Sequence, residues 1–236
     1  MNEPVVFLPG LMADARVFLP QLAVLSGSRP VHVAPVATAR TIEMIAAQVV
    51  ETAPPKFALV GHGLGGVVAL DVVRRAARRM TRLALVGTSP LPETPDTASG
   101  REPRIAAAKA GRLDDVMRDE IAIAGLADGP GRLDVTHMMM TMARDLGPDV
   151  FVRQSRALQR RPDQQAVLRA LQLPTLILCG RHDRVTPVKR HEFMAGLVAG
   201  ASFEVIENAG HLPMLEAPEE TTAALERWLS GTLLLT

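Results

Sequence analysis

The sequence has no tyrosine, a single tryptophan and a single cysteine, and aromatic residues make up only 3% of its 236 positions. A ligand pocket in this chain is therefore expected to draw on Leu, Met and Val in place of an aromatic cage. Cys179 has no partner for an internal disulfide, and no group of Cys and His has metal-site spacing, so neither a disulfide nor a metal is expected. Charge of neither sign is in surplus: 26 Lys and Arg face 25 Asp and Glu, for a net +1. Chains that grip nucleic-acid phosphates carry a basic excess, so nucleic acid is not an expected partner. No apolar run approaches the roughly 18 residues of a membrane span. The opening Met1-Asn2-Glu3-Pro4 lacks a basic leader region, and the expectation is a soluble, cytoplasmic protein.

What is present is an ordinary globular composition, 47% apolar and 22% charged. Short β-rich runs occur at Val5–Leu8, Val31–Ala34, Phe57–Val60, Leu83–Val86, Thr175–Cys179 and Phe203–Ile206. Helical patterns lie between them, over Arg16–Ser26, Thr41–Thr52, Leu64–Arg79, Val188–Val198 and Pro218–Leu229. The strand runs are continuously apolar, as parallel strands covered on both faces must be. The alternation predicts an α/β fold, a mainly parallel sheet flanked by helices through right-handed crossovers. Between Val86 and Thr175 no strand is legible, and the interval is too long for a simple crossover. It reads as a helical cap over residues 88–172, inserted into a core formed by 1–87 and 173–236. Met138, Met139, Met140 and Met142 give the cap an adaptable apolar patch, read first as helix packing and second as substrate contact.

After the third strand comes Gly61-His62-Gly63-Leu64-Gly65-Gly66, then a long apolar helix. Gly61, Gly63 and Gly66 fit the dinucleotide turn, in which a pyrophosphate approaches a helix N-terminus. That turn also needs an acidic residue at the end of the next strand, and Leu85-Val86-Gly87-Thr88-Ser89 has none. The competing reading is a nucleophile elbow, G-x-S-x-G, with one substitution. An elbow is so tight that small residues are required two before and two after the nucleophile, and Gly61 and Gly65 supply them. The nucleophile position itself holds Gly63.

Two later strand ends decide between the readings. Gly180-Arg181-His182-Asp183 follows the fifth strand, and Asn208-Ala209-Gly210-His211-Leu212 follows the sixth. An acid and then a histidine, each past a late strand, match the chain order nucleophile, acid, base of a hydrolytic triad. Leu8-Pro9-Gly10-Leu11-Met12 closes the first strand and places a second backbone donor, Leu11, beside the Leu64 N–H for an oxyanion. Other residues take plainer readings. Arg74, Arg75, Arg78, Arg79 and Arg82 read as a solvated helix end complementing the macrodipole. Asp14 reads as a helix cap, Cys179 as a buried hydrophobe and Ser89 as a loop hydrogen-bonder.

These four motifs together resemble the α/β-hydrolase fold superfamily, in particular its small bacterial esterases and lactonases. The resemblance spans residues 5–220 and implies His211 as base, Asp183 as its orienting acid, position 63 as nucleophile, and Leu11 and Leu64 as oxyanion donors. Met12, His62, Met138 and Leu212 are the expected substrate contacts, the substrate is a small ester or lactone, and no cofactor is implied. The family's frequent His-Gly after the first strand is Pro9-Gly10 here, and two antiparallel strands often found ahead of it are missing. The larger departure is Gly63, which has no side chain to attack with. The reading carried forward is a serine hydrolase with the elbow serine changed to Gly63, as in an engineered variant that holds substrate uncleaved. The alternatives are a natural non-hydrolytic member using the His211–Asp183 pair for proton transfer, a cofactor-free oxygenase or ligand binder, and, further off, an NAD(P)-dependent oxidoreductase.

Overall fold

The computed structural model describes residues 2–231. Six strands, β1 (Val5–Leu8), β2 (Val31–Val33), β3 (Phe57–His62), β4 (Met80–Val86), β5 (Thr175–Gly180) and β6 (Ser202–Ile206), form one sheet in the order β2-β1-β3-β4-β5-β6. All its pairings are parallel. Alternate residues of each strand serve two separate apolar layers. Phe7, Val60, Val86 and Leu178 face one layer, and Leu8, Leu59, Leu85 and Ile177 face the other. Burial on both faces is why these strands read as unbroken apolar runs rather than alternating ones. The α/β expectation is met.

Helices α2 (Ile42–Thr52), α3 (Leu64–Ala76) and α9 (Val188–Leu197) cover one face, and α1 (Leu19–Leu25) and α11 (Pro218–Ser230) cover the other. Between β4 and β5 run α4 (Pro95–Lys109), α5 (Leu113–Ala124), α6 (Arg132–Leu146), α7 (Pro148–Gln159) and α8 (Gln165–Arg169). A short helix, α10 (Pro213–Glu216), precedes α11. No helix among the described residues is long and apolar enough to cross a membrane.

Element boundaries moved where local chemistry outweighed periodicity. The first helical pattern divides into a 3-10 turn, Ala15–Phe18, and α1, because Pro20 brings no N–H and is tolerated only in a first helical turn. Asp14 caps that 3-10 turn, accepting from the Arg16 N–H at 2.9 Å. The arginine run is a solvated helix end only in part: Arg74 and Arg75 lie exposed in the last turn of α3 and Arg78 is exposed just beyond it, but Arg79 and Arg82 are not. β4 begins at Met80, so Arg82 lies in a strand, 4% exposed, donating to Glu3 at 2.7 Å and to the Trp228 carbonyl at 3.0 Å. Arg74 and Arg75 hold buried Asp71, and Arg79 donates to the carbonyls of Val50, Ala53 and Pro54 while lying over the Phe57 ring. Arg79 and Arg82 are structural because each has specific acceptors within reach.

Candidate active site

The strand order places β1 and β3 side by side while their connections leave in opposite directions, and ligands of open α/β sheets bind at such a switch point. β3 ends at His62 and α3 starts at Leu64, so the chain reverses at Gly63 alone, with φ 52° and ψ −115°. The turn is pinned on both sides of that residue. Its N–H donates to the Val86 carbonyl at 3.0 Å, and its own carbonyl accepts from Thr88 Oγ1 at 2.7 Å. A Cβ at Gly65 would lie 2.1 Å from the Leu8 carbonyl oxygen, and one at Gly61 would lie 2.6 Å from the Gly65 oxygen. Those two glycines are required by contact. Position 63 is different: a Cβ there would meet nothing nearer than 3.6 Å and would stand 3.7 Å from His211 Nε2.

His211 follows β6 and Asp183 follows β5. The His211 Nδ1–H donates to Asp183 Oδ2 at 3.0 Å, which leaves Nε2 facing position 63. The remaining acceptor capacity of Asp183 is filled by the Val185 and Thr186 N–H groups, each at 2.9 Å to Oδ1, and by Thr186 Oγ1 at 2.8 Å to Oδ2. Burial alone would raise the Asp183 pKa, but His211 and these donors outweigh it and hold it below the usual carboxylate value. Burial likewise opposes the charged form of His211, and the charge and hydrogen bond of Asp183 reverse this, raising its pKa. His62 is pushed down to about 3, by burial first and by His211 second. It is therefore neutral, with Nε2–H donating to the His211 carbonyl at 2.9 Å.

The loop after β1 supplies the other side. The backbone N–H groups of Leu11 and Leu64 donate to no acceptor among the described residues, and both residues line the same cavity. Met12 carries a left-handed backbone, φ 51°, which its sequence gives no reason to adopt. It is held there by Gln154 of α7, whose Oε1 accepts the Met12 N–H at 2.8 Å and whose Nε2 donates to Val36. On the base side, Glu216 accepts from the N–H groups of Gly210 and Leu212, at 2.9 and 2.8 Å, on either side of His211, and from Ala127. Buried His191 accepts the Thr88 N–H at 3.2 Å, and burial pushes its pKa down to about 4. Sequence reasoning missed Gln154, Glu216 and His191; each acts on backbone groups far along the chain and leaves no local pattern.

These elements border a cavity of about 120 Å³. Gly63, His211, His62, Leu11, Leu64 and Leu212 line it, while Asp183 stands behind His211. Met12 does not line it: the left-handed turn sends its side chain fully into the core. Met138 is also off the wall, and Met139 takes its place, since one residue along a helix turns the side chain by about 100°. Met140 and Met142 are core residues, and His137 is exposed. Ser89 reaches the cavity, but its Oγ accepts the Leu91 N–H at 3.3 Å.

The chain is similar to a pimeloyl-[acyl-carrier protein] methyl ester esterase of Aromatoleum aromaticum, 27% identical over 94% of this chain and 91% of that one. A protein of the same name from Methylococcus capsulatus is 26% identical over 81% of this chain and 78% of the other. Among solved structures, the malate-bound thermophilic esterase of Thermogutta terrifontis superposes with a TM-score of 0.86, at 26% identity over 97% of this chain and 90% of that one. The enol-lactonase of Burkholderia xenovorans LB400 shares the fold, with a TM-score of 0.84 at 20% identity over 98% and 93% of the two chains. Residues 5–225 match the model of the alpha/beta hydrolase family, and with this sheet and these strand-end loops the chain belongs to that family.

Proposed function

We propose that the chain is built to cleave a small carboxylic ester or lactone through an acyl-enzyme formed at position 63, and that Gly63 leaves it impaired. The observation that carries this reading is the space at position 63, from which a Cβ would sit 3.7 Å from His211 Nε2 while its flanking glycines are closed by backbone contact. A serine there would attack the acyl carbon while Nε2 takes its proton; Asp183 would steady the imidazolium, and the Leu11 and Leu64 N–H groups would receive the oxyanion. The proton then leaves with the alcohol, and water, deprotonated by the same imidazole, releases the acid. The helices of residues 88–172 act as the cap that closes this cavity over the core. The esterase names of the relatives support the substrate class.

A second reading has its own support: the His211–Asp183 pair is fully assembled although position 63 offers no hydroxyl. On that reading the imidazole moves a substrate or water proton directly. The test is Gly63→Ser beside the unsubstituted chain, on short esters and lactones and with an organophosphonate. Turnover and a covalent adduct in the serine variant alone support the acyl-enzyme. Inertness of both sinks it and leaves proton transfer or plain binding.

A further inference from the structure

Two arginines from the helical segment line the cavity that holds His211: Arg101 of α4 and Arg161, which follows α7. They share one buried carboxylate. Glu93, whose side chain is 1% exposed, takes the Nε and Nη2 of Arg101 at 2.6–2.9 Å, while Arg161 Nη1 stands 3.7 Å from it, too far for a hydrogen bond. The only hydrogen bond made by the Arg161 side chain among the described residues is Nε to the Leu91 carbonyl, at 2.8 Å. Its two terminal nitrogens are left without an acceptor, on a side chain 17% exposed. The other cavity carboxylate, Glu120, holds Arg104 at 3.1 Å. Among the described residues Arg104 pairs with Glu120, while Arg101 and Arg161 share the single charge of Glu93, so this wall carries one positive charge more than its carboxylates match. A poorly solvated guanidinium without a matched acceptor is costly, and the fork of two N–H groups fits a carboxylate.

We propose that Arg161 is a binding residue for a carboxylate carried by the substrate, so that the cavity takes a monoester or lactone of a dicarboxylic acid with its free carboxylate on the arginine wall. A single unmatched positive charge suits a monoanion; a phosphate dianion would keep one charge uncovered. The inference rests on the ester-or-lactone reading and refines its substrate class. Because the chain with Gly63 is expected to hold an ester uncleaved, binding is measured without turnover, by calorimetry with monomethyl succinate and dimethyl succinate at pH 7.

The monoester is expected to bind about ten- to a hundredfold more tightly than the diester, the range of a charge-assisted hydrogen bond. Arg161→Gln should abolish that preference, while Arg161→Lys retains part of it. Equal affinity for the two ligands in the unsubstituted chain, no binding of the monoester, or a preference that survives in Arg161→Gln overturns the proposal. The Gly63→Ser variant on dimethyl succinate reads the parent hypothesis separately: cleavage without any monoester preference refutes the carboxylate site alone, and a preference without cleavage refutes the hydrolase alone.

Discussion

The floor of the cavity and its helical wall are built on different principles. The floor consists of strand-end loops in which backbone meets backbone: Gly65 against Leu8, Gly63 bonded to Val86, and Asp183 accepting four hydrogen bonds. The wall presents Met117 and Met139, unbranched side chains that repack cheaply, beside the branched Ile121 and Leu158, with two arginines set among them. A rigid floor suits the placing of reacting atoms, and an adaptable wall suits the choice of substrate.

The sharpest way to test this division is to place a side chain at position 63. Gly63→Ser should raise kcat for a short ester by about a million-fold, the loss recorded when a triad nucleophile is removed elsewhere. In that background Asp183→Asn should cost about ten-thousandfold, because the amide favours the wrong imidazole tautomer. Single-turnover assays on one ester read both. Within the floor, Gly65→Ala should destabilise by about 3 kcal/mol or more, since a Cβ would lie 2.1 Å from a carbonyl oxygen. For a chain of this size that is a fall in Tm of about 6–12 °C. Gly63→Ala has room and bears only its strained backbone, φ 52° with ψ −115°, about 1–3 kcal/mol, so its melting curve should fall less than that of Gly65→Ala. On the wall, Met139→Leu should change stability by less than about 1.5 kcal/mol while altering the relative kcat/KM of short acyl chains. A larger stability loss there than at Gly65 would erase the distinction between floor and wall.

The pH dependence follows from the same contacts. His211 acts as base only when neutral, and its pKa is raised, so kcat/KM of the serine variant should climb with pH to a midpoint above the usual 6.5. Replacing Asp183 by Asn should move that midpoint down. Stability has two signs. The contribution of His211, with its raised pKa, is complete below 6.5 and is lost as pH rises through its folded value. His62 and His191, depressed to about 3 and about 4, stay neutral in the fold but bind protons when unfolded, so stability falls as pH drops from 6.5 toward those values. Asp183 adds to that loss at lower pH, as its carboxylate is protonated. Urea midpoints between pH 4 and 7 check the direction.

Much of the site was legible because its motifs are local. Gly61-His62-Gly63-Leu64-Gly65 announces a tight turn by the spacing of small residues, and the Asp and His loops follow apolar runs that only strands explain. Met12 is expected against substrate from its place after the first-strand turn and Met138 from the methionine patch of the cap, and a left-handed φ and a single step around a helix send both elsewhere. Gln154 and Glu216 looked like ordinary polar helix positions, because their partners are backbone groups on distant loops: Met12 is 142 residues from Gln154, and Ala127 is 89 from Glu216.

By itself, the sequence determined the parallel sheet, the order of its elements and the chemistry available at each strand end, since periodicity and backbone geometry act within a few residues of their cause. Only the tertiary structure decided that His211 Nε2 faces position 63, that the elbow glycines on either side are closed while Gly63 is open, and that Arg161 stands without a matched acceptor on the cavity wall. Those facts depend on side chains brought together from different strands and helices, where distance and desolvation set the energy and no spacing along the chain records it.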